Sequence, residues 1–507
     1  MRLLFSIFVP FALLAQEDIS GLAEHVRRFT QVFSLIEENA ASPIDAKAAF
    51  EGGVLPTMLR KLDPHTVFFN KDQFEQLRDM QTSTRKGFGS IVSILPGRVI
   101  VLQTMPASPS ERAGLNPGDE IIAINGVALS RFDMEQMVEY LTYTRQKDAL
   151  LSVRRQNFPR PLEFVLSPAT LNAPTVERAF ALKPGFGYVR MSSFEEKTGR
   201  DLRNAIEKLG GKGLKGLVLD LRNNPGGVFS SALETASLFL PAGARITSVR
   251  GRSKKEENID VPADNQPYTF ALTVLMNEKS ASGSEVVAAA LQDHGRARVI
   301  GLASYGKGLV QSVYPIAHGN GLAITTAYYY TPKGRSIQRK YEGAQIDPNL
   351  NRSASAGVQP DLEEGPERAT RLRAFLDSNG LVMAFATEWV KANPKPEPGF
   401  VLPLVTLDHY QQWLSARNVQ PTLGDWSIDR DWILNRLEQE IVNLTLGVEI
   451  GDEVEARRDP QIQRGLAEIQ SKNVPAGRAF AAPRAALRAR TGAREAKLLA
   501  RDRADTF

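Results

Sequence analysis

Ser280, Ser282 and Ser284 stand at alternate positions, Glu285 follows them, and Lys307 lies between Gly306 and Gly308, all within residues 277–311. A serine hydroxyl becomes a nucleophile only when a base takes its proton, so acyl transfer is the chemistry these residue types could support. The run Ser282-Gly283-Ser284-Glu285 also has the form of a helix start, because a serine hydroxyl and a glutamate three residues on can satisfy orphan backbone donors reciprocally. The partial positive charge of that helix end would stabilise an oxyanion formed at Ser282. Any of the three serines could equally be a plain N-cap. The candidate bases are Glu285, His294 and Lys307. His294 precedes Gly295, where the helix should end, a full helix length from Ser282. Asp220 could orient a histidine, but the sequence places no histidine beside a serine. Lysine can act as the base when burial lowers its pKa toward neutrality, as in Ser-Lys variants of the triad.

The same lysine ends residues 301–307, GLASYGK, which satisfy G-x-x-x-x-G-K. A phosphate-binding loop needs Ser or Thr next and then a helix; Gly308 and the strand-like residues 309–313 supply neither, so nucleotide binding is not expected. Strand-like apolar runs at 187–191, 215–221, 270–276 and 323–330 alternate with helical ones at 198–209 and 230–239. Between two of them, Asn223-Asn224-Pro225-Gly226-Gly227 forces a tight loop. Adjacent glycines let backbone N–H groups point outward together, which suits an oxyanion hole, although they would also serve merely to permit the turn.

Upstream, Leu22, Val26, Phe29, Phe33 and Ile36 repeat at helical spacing and residues 44–62 form a second such segment. Pro64 breaks the pattern at Leu62-Asp63-Pro64-His65-Thr66, and a structural hydrogen bond is the role expected of His65. From 87 to about 168 the texture is short strands divided by turns, with Asn125-Gly126 as a tight-turn signal. This order of elements, and the phrase AGLNPGDEIIAINGV, resembles a PDZ domain. That resemblance implies capture of an extended peptide at a sheet edge, with Phe88, Gly89, Ser90 and Ile91 in the loop that holds a terminal carboxylate. Near the C-terminus Ile433, Leu437, Ile441 and Leu444 form a helical stripe, preceded by Trp426 and Trp432, for packing or dimer formation.

At 507 residues the chain has room for about three domains. It has no cysteine, which removes disulfides and thiol chemistry. Residues 1–15, MRLLFSIFVPFALLA, have the form of a secretory signal, so a periplasmic or secreted location is expected. The net charge of +5 sits in the tail: residues 475–507 hold eight Arg or Lys against three Asp or Glu. Such a tail reads as a solvated, disordered extension, and nothing base-reading accompanies it, so no nucleic acid partner is expected.

The runs LVLDLRNNPGG, NEKSASGSEVVAAALQDHGRA, YGKGLVQ and ITTAYYYTPKGRSIQ, in that order behind the PDZ-like unit, are similar to those of the carboxyl-terminal processing proteases. The resemblance spans residues 22–362, including LDPHT and GVQPDLE. It implies Ser282 as nucleophile, Lys307 as general base and Gln311 as the residue orienting the lysine. It also implies oxyanion donors from the backbone of Gly283 and of Gly226 or Gly227. Tyr305 stands where Phe is usual and Gly283 where Ala is usual, and residues 339–356 are longer than the family norm. The expected fold is multidomain α+β: a signal (1–15), a helical N-terminal cap (16–82), a PDZ domain (83–170), an α/β protease core with a mixed sheet (171–365), a helical C-terminal region (366–474) and a basic tail (475–507). The expected partners are protein or peptide substrates with apolar C-termini, with an adaptor protein and a homodimer left open. No cofactor, metal or membrane span after signal removal is expected. The alternative class is a PDZ peptide-binding scaffold that no longer cuts.

Overall fold

The computed structural model describes residues 19–80, 84–155, 158–172, 174–252, 256–339 and 356–471. The signal-like residues 1–15, the basic tail and nearly all of the long 339–356 segment lie outside these. The central sheet runs in the order Val176–Lys183, Phe186–Met191, Gly216–Asp220, Ala271–Met276, Arg298–Gly301, Leu362–Glu363. Its first pair is antiparallel and the rest are parallel, which makes it mixed as expected.

Every residue of Gly216–Asp220 and Ala271–Met276 is buried, the signature of strands covered on both faces. Leu217, Leu219, Val274 and Met276 face the helices Thr198–Lys208, Phe229–Ser237 and Gly283–Asp293. Their alternate neighbours, Val218 and Leu275, pack with Tyr188 and Ile300 against Ala456, Ile462 and Ile469 of the helices Val448–Ala456 and Pro460–Gln470. A Cβ on Gly216 would lie 2.2 Å from Ile469 Cγ2, so a side chain there would push the last helix off the sheet. The C-terminal region is therefore divided: its last two described helices complete the core around the central sheet.

Its earlier helices, Arg371–Ser378, Leu381–Ala392, Val405–Ser415 and Leu423–Thr445, form their own cluster. Ile433, Leu437 and Ile441 are spent inside it, which gives the stripe a packing role within the chain. A smaller cluster, Met383, Leu444 and Val448 against Leu95, Ile100 and Leu102, joins this region to the PDZ-like unit.

The PDZ-like unit is a sheet of Ser90–Leu95, Arg98–Thr104, Glu120–Ile124, Ala149–Arg154 and Leu162–Leu166, with the short Val127–Ala128 beside Glu120–Ile124. The helix Met134–Thr144 is fixed at its start by reciprocal bonds between Asp133 and Gln136. Ser90–Leu95 forms one edge of the sheet among the described strands.

An antiparallel sheet begins two residues after the lysine: the hairpin Leu309–Pro315 and Gly321–Tyr330, with Arg245–Arg250, Glu257–Asp260 and the N-terminal strand Val67–Phe69. Val67–Phe69 pairs with Gly321, Leu322 and Ala323 and ties the N-terminal helices to that hairpin. Those helices are Ile19–Asn39 and Ala46–Ala49, continued through a π turn at Phe50–Val54 into Leu55–Arg60. Among the described residues no helix is long and apolar enough to cross a membrane.

Candidate active site

The helix Gly283–Asp293 starts just after the buried strand Ala271–Met276, and the three serines straddle its first turn. Ser280 and Ser284 are fully buried. Their hydroxyls donate to the carbonyls of Leu221 (2.8 Å) and Asn224 (2.9 Å), so both stitch this turn to the loop after Gly216–Asp220. Ser282 between them is half-buried and adopts φ 54°, ψ −113°. Positive φ in a non-glycine residue costs about 1–3 kcal/mol and is concentrated at functional sites.

Glu285 explains how that conformation is held. Its carboxylate is fully buried. One oxygen accepts the N–H of Ser282 and of Lys307, each at 2.8 Å. The other accepts the N–H of Gly306 at 2.6 Å and the hydroxyl of Ser304 at 2.5 Å. Burial pushes this carboxyl above its ordinary range, and the four donors pull the other way. Both oxygens are engaged by backbone and hydroxyl donors, so Glu285 is an anchor and is poorly placed to act as a base. From the sequence Glu285 is a helix cap and one of three candidate bases; its anchoring role is signalled only by a glutamate set at the start of the wholly apolar run VVAAAL.

Lys307 is half-buried, and its Nζ donates to Gln311 Oε1 at 3.1 Å. Gln311 Nε2 in turn donates to the carbonyl of His65 at 2.6 Å. Burial draws the lysine below its usual pKa, while the charges of Glu285 and Asp63 push it back up. His294 is directed elsewhere, with Nε2 2.7 Å from the Arg245 carbonyl. Asp220 is committed to the Tyr188 hydroxyl at 2.7 Å and the Arg222 guanidinium at 2.6 Å. After Lys307 the chain enters a strand, as the rejection of a phosphate loop requires.

Gly226 and Gly227 have φ of 94° and 145°. A Cβ on Gly226 would lie 2.7 Å from Ser282 Cβ and 2.8 Å from Gly283 N; one on Gly227 would lie 2.0 Å from the Phe194 carbonyl oxygen. These glycines let the loop press against the serine turn. The two are not equivalent as donors, because the Gly226 N–H already donates to Asn224 Oδ1 at 2.9 Å. Gly283 also has a steric reason: a Cβ there would meet Ala232 Cβ at 3.2 Å and the Phe194 ring at 3.3 Å. Gly226→Ala is expected to lower thermal stability, because its Cβ would push the loop and the serine turn apart. A melting curve would check it; a wild-type midpoint would contradict the contact.

In the PDZ-like unit a cavity of about 410 Å³ lies between Ser90–Leu95 and Met134–Thr144, lined by Phe88, Gly89, Ser90, Val92, Val138 and Leu141 among others. Gly89 has φ 78°, and a Cβ there would collide with Ser108 at 2.3 Å. The carbonyls of Phe88 and Gly89 accept from Ser110 N (2.9 Å) and Met105 N (2.8 Å), and Ser90 Oγ lies 2.6 Å from Ser110 Oγ. Of the four loop residues expected there, Ile91 does not line the cavity; it alternates with Ser90 and Val92 and is exposed.

The profile of Peptidase family S41 matches residues 185–362, and that of a PDZ domain matches residues 100–155. The carboxy-terminal-processing protease of Bartonella bacilliformis is 32% identical over 332 residues, covering 64% of this chain and 75% of that protein. The chain belongs to the carboxy-terminal processing proteases of peptidase family S41. This S41 peptidase is thus a serine peptidase with a PDZ domain, a mixed-sheet core and helices at both ends. Carboxy-terminal processing protease CtpB of Bacillus subtilis is 28% identical over 67% of this chain and 69% of its own length. Among solved structures, the photosystem II D1 C-terminal processing protease aligns over 69% of this chain and 88% of its own with a TM-score of 0.40 and 25% identity.

Proposed function

We propose that this peptidase cleaves protein or peptide substrates through an acyl-enzyme, with Ser282 as nucleophile and Lys307 as general base. The observation that carries this reading is the Glu285 carboxylate, which accepts the N–H of both residues at 2.8 Å and so holds their backbones on one anchor. The engagement of the Ser280 and Ser284 hydroxyls favours Ser282 among the three. Ser282 attacks the peptide carbonyl while Lys307 takes its proton and later delivers it to the leaving amine; water then releases the acyl group. Gln311 steadies the lysine. The N–H groups of Gly283 and Gly227 receive the oxyanion, and a donor of this kind is typically worth about 3 to 4 kcal/mol of barrier. The test is an unstructured peptide labelled at its C-terminus and incubated with the purified enzyme or its Ser282→Ala variant. Cleavage by the first alone is expected; equal cleavage by both would remove the serine from the chemistry, and none by either would favour a non-cutting scaffold.

Substrate choice is assigned to the PDZ cavity, whose apolar lining and exposed strand edge suit a peptide with an apolar C-terminus. Leu141→Lys is expected to raise KM for such peptides about tenfold or more while sparing kcat, as measured against a peptide ending in a charged residue. Export to the periplasm or beyond is the location that residues 1–15 support.

A further inference from the structure

The turn Asp63-Pro64-His65-Thr66 lies outside both stretches that the family profiles match, yet it reaches the support of the lysine. Asp63 Oδ1 accepts the N–H of His65 at 2.7 Å and of Thr66 at 2.9 Å, and Oδ2 accepts the Thr66 hydroxyl at 2.7 Å. A side-chain carboxylate that caps its own following backbone fixes the path of that backbone. Here it fixes the His65 carbonyl, which receives Gln311 Nε2 at 2.6 Å. A glutamine amide has one donor end and one acceptor end. Once Nε2 is committed to His65, Oε1 is the end left to accept from Lys307 Nζ, at 3.1 Å. The turn is also seated on the hairpin that carries Gln311. Thr66 is 3% exposed, its Oγ1 accepts Thr325 N–H at 3.3 Å, and Val67–Phe69 pairs with Gly321, Leu322 and Ala323.

We propose that Asp63 is a positioning residue for proteolysis: its carboxylate sets the His65 carbonyl, which orients the Gln311 amide that holds Lys307 Nζ. This inference rests on the assignment of Lys307 and Gln311 above. Losing the carboxylate leaves the turn without its three bonds and the amide free to rotate. Asp63→Ala is expected to lower kcat by about 10- to 100-fold with KM little changed, since a misplacement of about 1 Å at a reacting group can cost that much. Asp63→Glu keeps the charge but displaces the oxygens, so it should lose activity as Ala does and serves in its place should Ala fail to fold. Asp63→Asn keeps an oxygen for the two N–H groups and should recover most of the rate.

The deciding measurement is a double-mutant cycle with Gln311→Ala, read as kcat below the melting point of every variant. If Asp63 acts through Gln311, the double variant is no slower than Gln311→Ala alone. Multiplicative losses would mean that Asp63 acts independently of Gln311, for instance through its charge on Lys307, and that result, or the unchanged kcat in both Asp63→Ala and Asp63→Glu that a turn serving only stability would give, overturns the proposal. A Gln311→Ala enzyme with full activity would instead overturn the assignment of Gln311 on which it rests.

Discussion

Replacing Lys307 with alanine is expected to lower kcat by about 10³-fold or more while leaving KM for an apolar-tailed peptide within a few-fold, because general-base catalysis is typically worth about 10² to 10⁴. The PDZ cavity does not include this residue, so capture of the peptide should survive. The companion result concerns pH. In the proposed mechanism a protonated lysine cannot take the serine's proton, so activity is expected to fall as pH drops through the pKa of Lys307 in the folded enzyme. Burial lowers that pKa from its ordinary value of 10.5, and the rate should therefore reach half its plateau below that value. In Lys307→Ala the residual rate should lose this dependence. Wild-type rates in the purified variant, or an unaltered pH limb, would take the lysine out of the chemistry.

The second large effect is expected at Glu285, a residue that forms no bond to substrate in the proposed mechanism. Glu285→Ala deprives three backbone N–H groups and the Ser304 hydroxyl of their acceptor in a buried place. Each orphaned buried donor costs about 1–3 kcal/mol unless water replaces the acceptor, so a loss of about 3 kcal/mol or more in unfolding free energy is expected. Activity should disappear with it, since Ser282 would relax from its left-handed backbone and the Gly306-Lys307 segment would drift from the serine turn. Glu285→Gln has one oxygen where four donors need two, and it should fall between wild type and alanine in both denaturant midpoint and kcat. A Glu285→Ala enzyme with the wild-type midpoint would show that the carboxylate does not anchor the site.

Much of this site was legible in the sequence because its parts are local. The helix at 283, the strand after Lys307, the tight Gly226-Gly227 loop and the absence of any phosphate loop follow from spacing and turn chemistry. Among Ser280, Ser282 and Ser284, only the family register favoured the middle one. The local pattern could not, because the partners that occupy the other two hydroxyls, the carbonyls of Leu221 and Asn224, are about sixty positions away. The same holds for Gly226, whose N–H is taken by a side chain that the run NNPGG does not mark as different from its neighbour. Nor could periodicity reveal that a helix beginning at Pro460 would close the protease sheet. An amphipathic stripe names the face that will be buried, and leaves open what it will be buried against.

That last helix also bears on the enzyme as a substrate of its own kind. Proteases need their target extended, and well-packed helical segments resist them. Ile462, Leu466 and Ile469 are almost wholly buried against the sheet, and Asp459 and Gln461 are held by Arg222 at 2.8 Å and 2.6 Å across more than two hundred positions. A cut within this helix would therefore strip Ile462, Leu466 and Ile469 from their buried places and loosen the core they help to fill. The last described helix is thus fastened to the sheet from which the serine turn leads out.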